Sequence, residues 1–222
     1  MKISGAILHK ENQQQRVAVA DWMRMIRKLA IQAVIFDCDG TLVNSAGAHF
    51  HSMQDAAEAQ GLTMDQRWYN DRRGLSRVAL FSEFKKESDG PCDVQRAVED
   101  SIAAFSRHAG KITAIPETVD LLREVRAADL AVAIGTNAEA AIARRSLEAA
   151  GLSGEVSVIV SIEDSGEPKP APTIFLCAAR KLEVAPARTL VIEDSPQGID
   201  AACAAGMASF LLVEDASGHF ER

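Results

Sequence analysis

Asp37 and Asp39 are the residues of this chain best placed to do chemistry. They close the apolar run Val34-Ile35-Phe36 and are followed at once by Gly40-Thr41-Leu42. Side chains on a strand alternate between faces, so two acids separated by one residue leave on the same side. Cys38 between them points the other way, into packing. Two carboxylates at the carboxyl end of a buried strand are costly unless something pairs with them. A hard divalent cation with oxygen ligands, typically Mg²⁺, is the natural partner. Asp and Gly are also ordinary turn residues, so this stretch alone reads equally well as a strand ending in a turn.

Three further constellations, each near the end of an apolar run, change that balance. Leu130 to Ile134 reads as a strand and stops at Gly135-Thr136-Asn137, before a helical pattern. A hydroxyl and free N–H groups at a helix start suit an anion, although Thr and Asn are also common capping residues. Lys169 stands in Pro168-Lys169-Pro170-Ala171-Pro172, where prolines stiffen its backbone and open the next helix. Most lysines are simply solvated. Finally Leu190-Val191-Ile192 runs into Glu193-Asp194-Ser195-Pro196, a second acidic pair that closes a second buried strand.

In this order, acid-x-acid, hydroxyl, lysine and acid pair, the chain resembles the haloacid dehalogenase superfamily from about Ala33 to Val213. Most members are Mg²⁺-dependent phosphatases. The motifs are Asp37-Cys38-Asp39-Gly40-Thr41, Thr136-Asn137, Lys169-Pro170-Ala171-Pro172 and Glu193-Asp194-Ser195-Pro196-Gln197-Gly198, with Ala204-Ala205-Gly206-Met207 beyond them. Pro168 stands where relatives often have glycine.

The resemblance implies roles. Asp37 would be the nucleophile and Asp39 the acid that protonates the leaving oxygen and then activates water. Thr136 and Lys169 would hold the phosphoryl oxygens. Mg²⁺ would be bound by Asp37, the backbone carbonyl of Asp39, Asp194 and Glu193, the last directly or through water. Gly74-Leu75-Ser76-Arg77 is similar to the substrate-facing segment of sugar-phosphate members, which makes Gly74 and Arg77 candidate substrate contacts together with Asn137 and His49. Arg77 would reach the substrate's phosphate or a second anionic group. Dehalogenating relatives do without the second aspartate, and phosphonate-cleaving ones have a small apolar residue there and use a cap lysine, so Asp39 speaks against both despite Lys85 and Lys86. A β-phosphoglucomutase-like mutase keeps the same acids, but Thr41 is the phosphatase-like choice where mutases usually have valine. A non-catalytic module that binds a phosphometabolite remains the alternative from another class, and the filled catalytic positions count against it.

The elements that must position these residues alternate. Helices are expected over Pro116 to Asp129, Ala138 to Ala150, Pro172 to Leu182 and Gln197 to Ala205. Strands are expected over Ala131 to Ile134, Val156 to Val160, Thr189 to Ile192 and Ser209 to Val213, after the first one ending at Phe36. Such alternation implies a doubly wound parallel α/β sheet, with ligands outside the carboxyl ends of its strands. Between about Ala46 and Thr113 the pattern is helical throughout, over His49 to Gln60, Ser76 to Lys86 and Val94 to His108. This insert resembles a C1-type helical cap, which closes over a site and excludes water. Trp68, Tyr69 and Phe81 read as cap core. The expected division is an N-terminal extension over 1–30, a catalytic core over 31–45 and 114–222, and a cap over 46–113. In the extension Ala18, Trp22, Met25, Ile26 and Leu29 fall at helical spacing, and an amphipathic helix is expected there. A last helix after the fifth strand is expected to be absent or very short.

Composition sets bounds. The chain has 222 residues and a net charge of −7, enough for one domain and an insert, without the basic face a nucleic-acid binder needs. An acidic protein repels anions only at long range, since salt screens such fields beyond roughly 8–10 Å. Cys38, Cys92, Cys177 and Cys203 show no paired spacing, and no secretory signal is evident. They read as reduced cytoplasmic thiols. No apolar run approaches the roughly 20 residues of a membrane span. The expected ligand is a small phosphorylated molecule, and the expected state a monomer or dimer.

Overall fold

The computed structural model describes residues 1–10 and 13–214. Its centre is a strand in which every side chain is buried, β3 (Ala33–Phe36). Val34 and Phe36 pack into one hydrophobic cluster and Ile35 into another, the alternation that lets one strand serve two faces. Strands buried on both faces need helices on each side, and the chain supplies them.

The parallel strands are β3, β6 (Ala131–Gly135), β7 (Val158–Val160), β8 (Thr189–Glu193) and β9 (Ala208–Glu214). Helices α6 (Pro116–Ala127) and α7 (Ala140–Ala149) cover one face, through Val119, Leu122, Ile142 and Leu147. Helices α9 (Thr173–Lys181) and α10 (Pro196–Ala204) cover the other, through Ile174, Phe175, Ala201 and Ala202. A short α8 (Ile162–Ser165) follows β7. The doubly wound parallel core is therefore as expected from the alternating pattern.

The first residues correct one expectation. The helix is present as α1 (Trp22–Lys28), with Trp22, Met25 and Ile26 buried against the sheet core. Before it, however, stands a β-hairpin, β1 (Ile3–Lys10) and β2 (Gln13–Ala18). β1 runs antiparallel to β9, so the sheet has seven strands in the order β2-β1-β9-β8-β3-β6-β7. Ile3, Ala6 and Leu8 lie in the main core. These residues widen the sheet and are continuous with it. The expected lack of a last helix concerns residues 215–222, outside the described residues.

The insert is helical, as expected: α2 (Ala46–Glu58), α3 (Gln66–Asn70), α4 (Arg77–Glu87) and α5 (Val94–His108). α3 is an addition to the three expected helices. Phe50, Met53, Tyr69, Leu80, Phe81 and Phe84 form a hydrophobic cluster of their own, so the cap is a second packing unit. Phe81 and Tyr69 are buried in it, and Trp68 meets Phe84 edge to face at 5.4 Å. Two-residue strands, β4 (Val43–Asn44) and β5 (Thr113–Ala114), pair antiparallel where the chain leaves and re-enters the core. Thr118 donates to the carbonyl of Thr41 at 2.5 Å and so fastens the return path. Among the described residues no helix is long and apolar enough to cross a membrane.

Candidate active site

Sheet order explains why distant motifs meet. β3 lies between β8 and β6, so the residues that follow their carboxyl ends converge: Asp37 after β3, Thr136 after β6, and Glu193 and Asp194 at the end of β8. Lys169, from the loop between α8 and α9, reaches under them. Its Nζ donates to Asp37 Oδ1 at 2.5 Å and to Glu193 Oε1 at 2.7 Å. It also sits 4.8 Å from the centre of the Phe175 ring, whose face favours a cation. All three partners are almost wholly buried.

The acids outnumber the lysine. Carboxylate oxygens of Asp37, Glu193 and Asp194 lie within 4.8 Å of one another. Burial, with Lys169 opposing it and Glu193 and Asp194 adding to it, holds the Asp37 carboxyl well above its ordinary range. Burial and then Glu193 push Asp194 up to about 7. Burial would weaken the hold of Lys169 on its proton, but Asp37 and Glu193 more than reverse this and raise it. Three clustered carboxylates, of which Asp37 and Asp194 are pushed toward the protonated form, are a donor set for a hard divalent cation. Mg²⁺ fits these residues.

Two glycines leave room for the cluster. Gly40 has φ +93, and a Cβ there would stand 2.1 Å from Asp194 Oδ2. A Cβ on Gly198 would stand 1.9 Å from the Glu193 carboxyl. Glu193 is fixed further by the Ser195 N–H and hydroxyl, both donating to Oε2 at 2.8 Å.

Asp39 is on the same side as Asp37 but turned to other partners. Ser45 Oγ donates to its Oδ1 at 2.6 Å, and His49 Nε2 lies 3.0 Å from the same oxygen. Burial would raise the Asp39 carboxyl, yet His49, Ser45 and the more distant Arg77 together hold it below its ordinary range. Its side chain is therefore outside the cluster of three.

The cap residues are engaged. Arg77 is buried, with Nε donating to Glu139 Oε2 at 3.1 Å, one terminal nitrogen to Ser101 Oγ at 3.2 Å and the other 3.1 Å from His49 Nδ1. A guanidinium has no acceptor, so His49 Nδ1 accepts and its hydrogen is assigned to Nε2, facing Asp39. Asn137 is a clamp: its Oδ1 accepts from the Lys169 N–H at 2.8 Å and its Nδ2 donates to the Gly74 carbonyl at 3.0 Å. Thr136 is buried and accepts from the Ala138 N–H through Oγ1 at 3.0 Å. All of these residues line one cleft between cap and core, of about 300 Å³, except Glu139 and Ser101, which stand behind Arg77.

Sequence reasoning missed Ser45, Ser101, Glu139 and Ser195. Ser45 precedes α2 in the capping position but makes no capping bond. Its hydroxyl goes to Asp39 instead, which no local rule reveals. Ser195 is a capping residue by pattern and does cap Gly198, while also holding Glu193.

A family model described as haloacid dehalogenase-like hydrolase matches residues 34–212. The chain is 30% identical over 174 residues to hexitol phosphatase A of Escherichia coli, covering 78% of each. It is 31% identical over 182 residues to the bifunctional riboflavin kinase/FMN phosphatase of Arabidopsis thaliana, covering 82% of this chain but 48% of that protein. Thus the chain spans about half of that relative. The crystal structure of CbbY from Rhodobacter sphaeroides in complex with phosphate superposes with a TM-score of 0.73 and 25% identity, covering 80% of this chain and 84% of that one.

Proposed function

Because the chain belongs to the haloacid dehalogenase-like hydrolases, we propose that it is a Mg²⁺-dependent phosphatase of a small phosphorylated metabolite, working through an aspartyl phosphate on Asp37. The observation that carries this reading is the bridge from Lys169 to Asp37 and Glu193, with Asp194 completing the acidic cluster. A cleft of about 300 Å³ suits a small ligand. Hexitol phosphatase A, by its name, supports a sugar-phosphate class of substrate, and the phosphate in the CbbY structure supports a phosphoryl group as the part that is bound.

Uncatalysed phosphate monoester hydrolysis is so slow that enhancements reach about 10²¹. A carboxylate nucleophile divides the task. Asp37 attacks phosphorus, the bond to the leaving oxygen breaks, and Asp39 supplies that oxygen with a proton. Asp39 then takes a proton from water, the water oxygen attacks phosphorus, and the acyl–phosphate bond breaks to release phosphate and free Asp37. The depressed Asp39 carboxyl suits the second half as base. In the first half the incoming phosphate dianion, a like charge, raises its hold on a proton. Lys169 fixes the Asp37 carboxylate by Oδ1, and Thr136 offers a hydroxyl beside it. Asp37, Glu193, Asp194 and the Asp39 carbonyl would hold Mg²⁺, which when bound supplies positive charge to the acids and to the transferring phosphoryl oxygens. The free, unpaired cysteines suit a reducing, cytoplasmic setting.

The test is phosphate release from a panel of sugar phosphates, phosphoglycolate and nucleotides, with Mg²⁺ and after chelation. Release that needs Mg²⁺ is expected. Interconversion of hexose phosphates without release would favour a mutase, and binding without any turnover a non-catalytic module.

A further inference from the structure

Glu139 occupies the residue before α7, where a side chain would ordinarily cap the helix, but it makes no capping bond. Glu163 does that work from a distance, accepting from the Ala140 N–H at 2.9 Å. The Glu139 carboxylate crosses instead from core to cap, to the buried Arg77, whose side chain is 3% exposed and its own 15%. A buried cation is costly without a partner, so Glu139 accounts for a cation on the leaving-group side of the cleft. That side is defined by contact: Arg77 touches His49, and His49 touches Asp39.

The remaining cap residues there add no unopposed charge. Arg72 is held by Glu83 at 3.0 Å and Glu87 at 2.9 Å and lies over the Trp68 ring. Arg73 faces Asp194 at 4.0 Å, on the phosphoryl side. Met53, Tyr69, Leu75 and Leu80 supply the neutral wall.

We propose that Glu139 sets selectivity for the part of the substrate beyond the transferring phosphoryl group: by neutralising Arg77 across the cap–core boundary it selects phosphomonoesters with an uncharged, hydroxyl-bearing remainder and rejects those carrying a second phosphate or a carboxylate. This rests on the proposed phosphatase reading, and it gives Arg77 a different part from that of an anion reader. Arg77 offers further N–H groups to a hydroxyl, while a second anion would meet the Glu139 carboxylate behind a cation already engaged. Discrimination by an unfavourable charge is an ordinary source of specificity.

The experiment compares matched pairs, sorbitol 6-phosphate with 6-phosphogluconate and fructose 1-phosphate with fructose 1,6-bisphosphate, on the wild type and Glu139→Gln. Both kcat/KM and calorimetric Kd in Mg²⁺ are measured. The wild type is expected to prefer the uncharged member at least tenfold. Glu139→Gln is expected to reduce that ratio at least tenfold, through a gain on the doubly anionic member, and Arg77→Gln added to it should abolish the gain. An equal ratio in wild type and variant, or a wild type that prefers the anionic member, overturns the proposal. Equal losses on every substrate would make Glu139 a fastener of the cap and also overturn it. Absence of turnover on all four esters would sink the phosphatase reading, and the Kd ratios would still decide the role of Glu139.

Discussion

Lys169 Nζ stands 2.5 Å from Asp37 Oδ1 and 2.7 Å from Glu193 Oε1, so a single buried cation ties the ends of two adjacent strands. Two charges 4 Å apart interact by about 4 kcal/mol at an effective dielectric of 20, against about 1 in water. Burial makes this lysine count. Lys169→Ala leaves two buried acids facing each other, a change that costs about 3–5 kcal/mol when one partner of a buried pair is removed. The metal-free variant is expected to unfold at clearly lower temperature, and its turnover to fall by at least 100-fold. Thermal melts with and without Mg²⁺, together with steady-state kinetics, check this; a variant with wild-type stability and turnover would refute the bridge.

Ser45 holds Asp39 at 2.6 Å from the start of the cap. Removing the hydroxyl takes away one of the influences that keep the Asp39 carboxyl low and lets burial act more strongly. In Ser45→Ala the limb of the pH–rate profile that reports Asp39 should move to higher pH, with a fall of about tenfold in kcat, smaller than the roughly 10²–10⁴-fold contribution of a general acid–base group itself because Asp39 stays in place. An unmoved limb would mean that Ser45 only supports the hinge.

Gly40 is where backbone conformation and the acidic cluster meet. Its φ of +93 is strained for other residues, and a Cβ would collide with Asp194. Gly40→Ala should displace Asp194 and weaken Mg²⁺ binding at least tenfold. A Mg²⁺ titration followed by calorimetry reads this directly, and an unchanged affinity would show that Asp194 is not a ligand.

Asp194, pushed up to about 7 by burial and Glu193, links metal, proton and stability. Its folded value lies above its unfolded one, near 3.9. The metal-free protein therefore gains stability from this group as pH falls below about 7, and loses it as pH rises through about 7. Mg²⁺ competes with that proton. The stabilisation given by a fixed Mg²⁺ concentration should grow between pH 6 and 8, on the order of the titration range of one group. A Mg²⁺-induced shift in melting temperature that is flat across this range would contradict the ligand role of Asp194.

The core of this fold was legible because its strands are short apolar runs that end abruptly in functional residues: Phe36 into Asp37, Ile134 by way of Gly135 into Thr136, Ile192 into Glu193. The cap was legible because its helices carry their own apolar spacing. The hairpin of β1 and β2 was not, since Gln13, Gln14, Gln15 and Arg16 of β2 have no alternating apolar face, and only pairing with β1, which itself pairs with β9, makes that segment a strand. The hinge strands are two residues each, too short for any period to show. Asp37, Lys169 and the acid pair belong to motifs that the resemblance places, whereas the others act through contacts no motif marks: Ser45 turns back to Asp39 six residues earlier, Ser101 meets Arg77 between two cap helices, and Glu139 meets Arg77 only because the cap folds against the core.

The central claim is that Asp37 itself becomes phosphorylated. The most direct measurement is mass spectrometry of acid-quenched protein during turnover with Mg²⁺, with peptide mapping, on the wild type and on Asp37→Asn. The account predicts one added phosphoryl group on the peptide that holds Asp37, and in the variant no adduct and almost no turnover with the fold intact. Turnover that continues in a pure preparation of Asp37→Asn, or a phosphoryl group found on another residue, would contradict it.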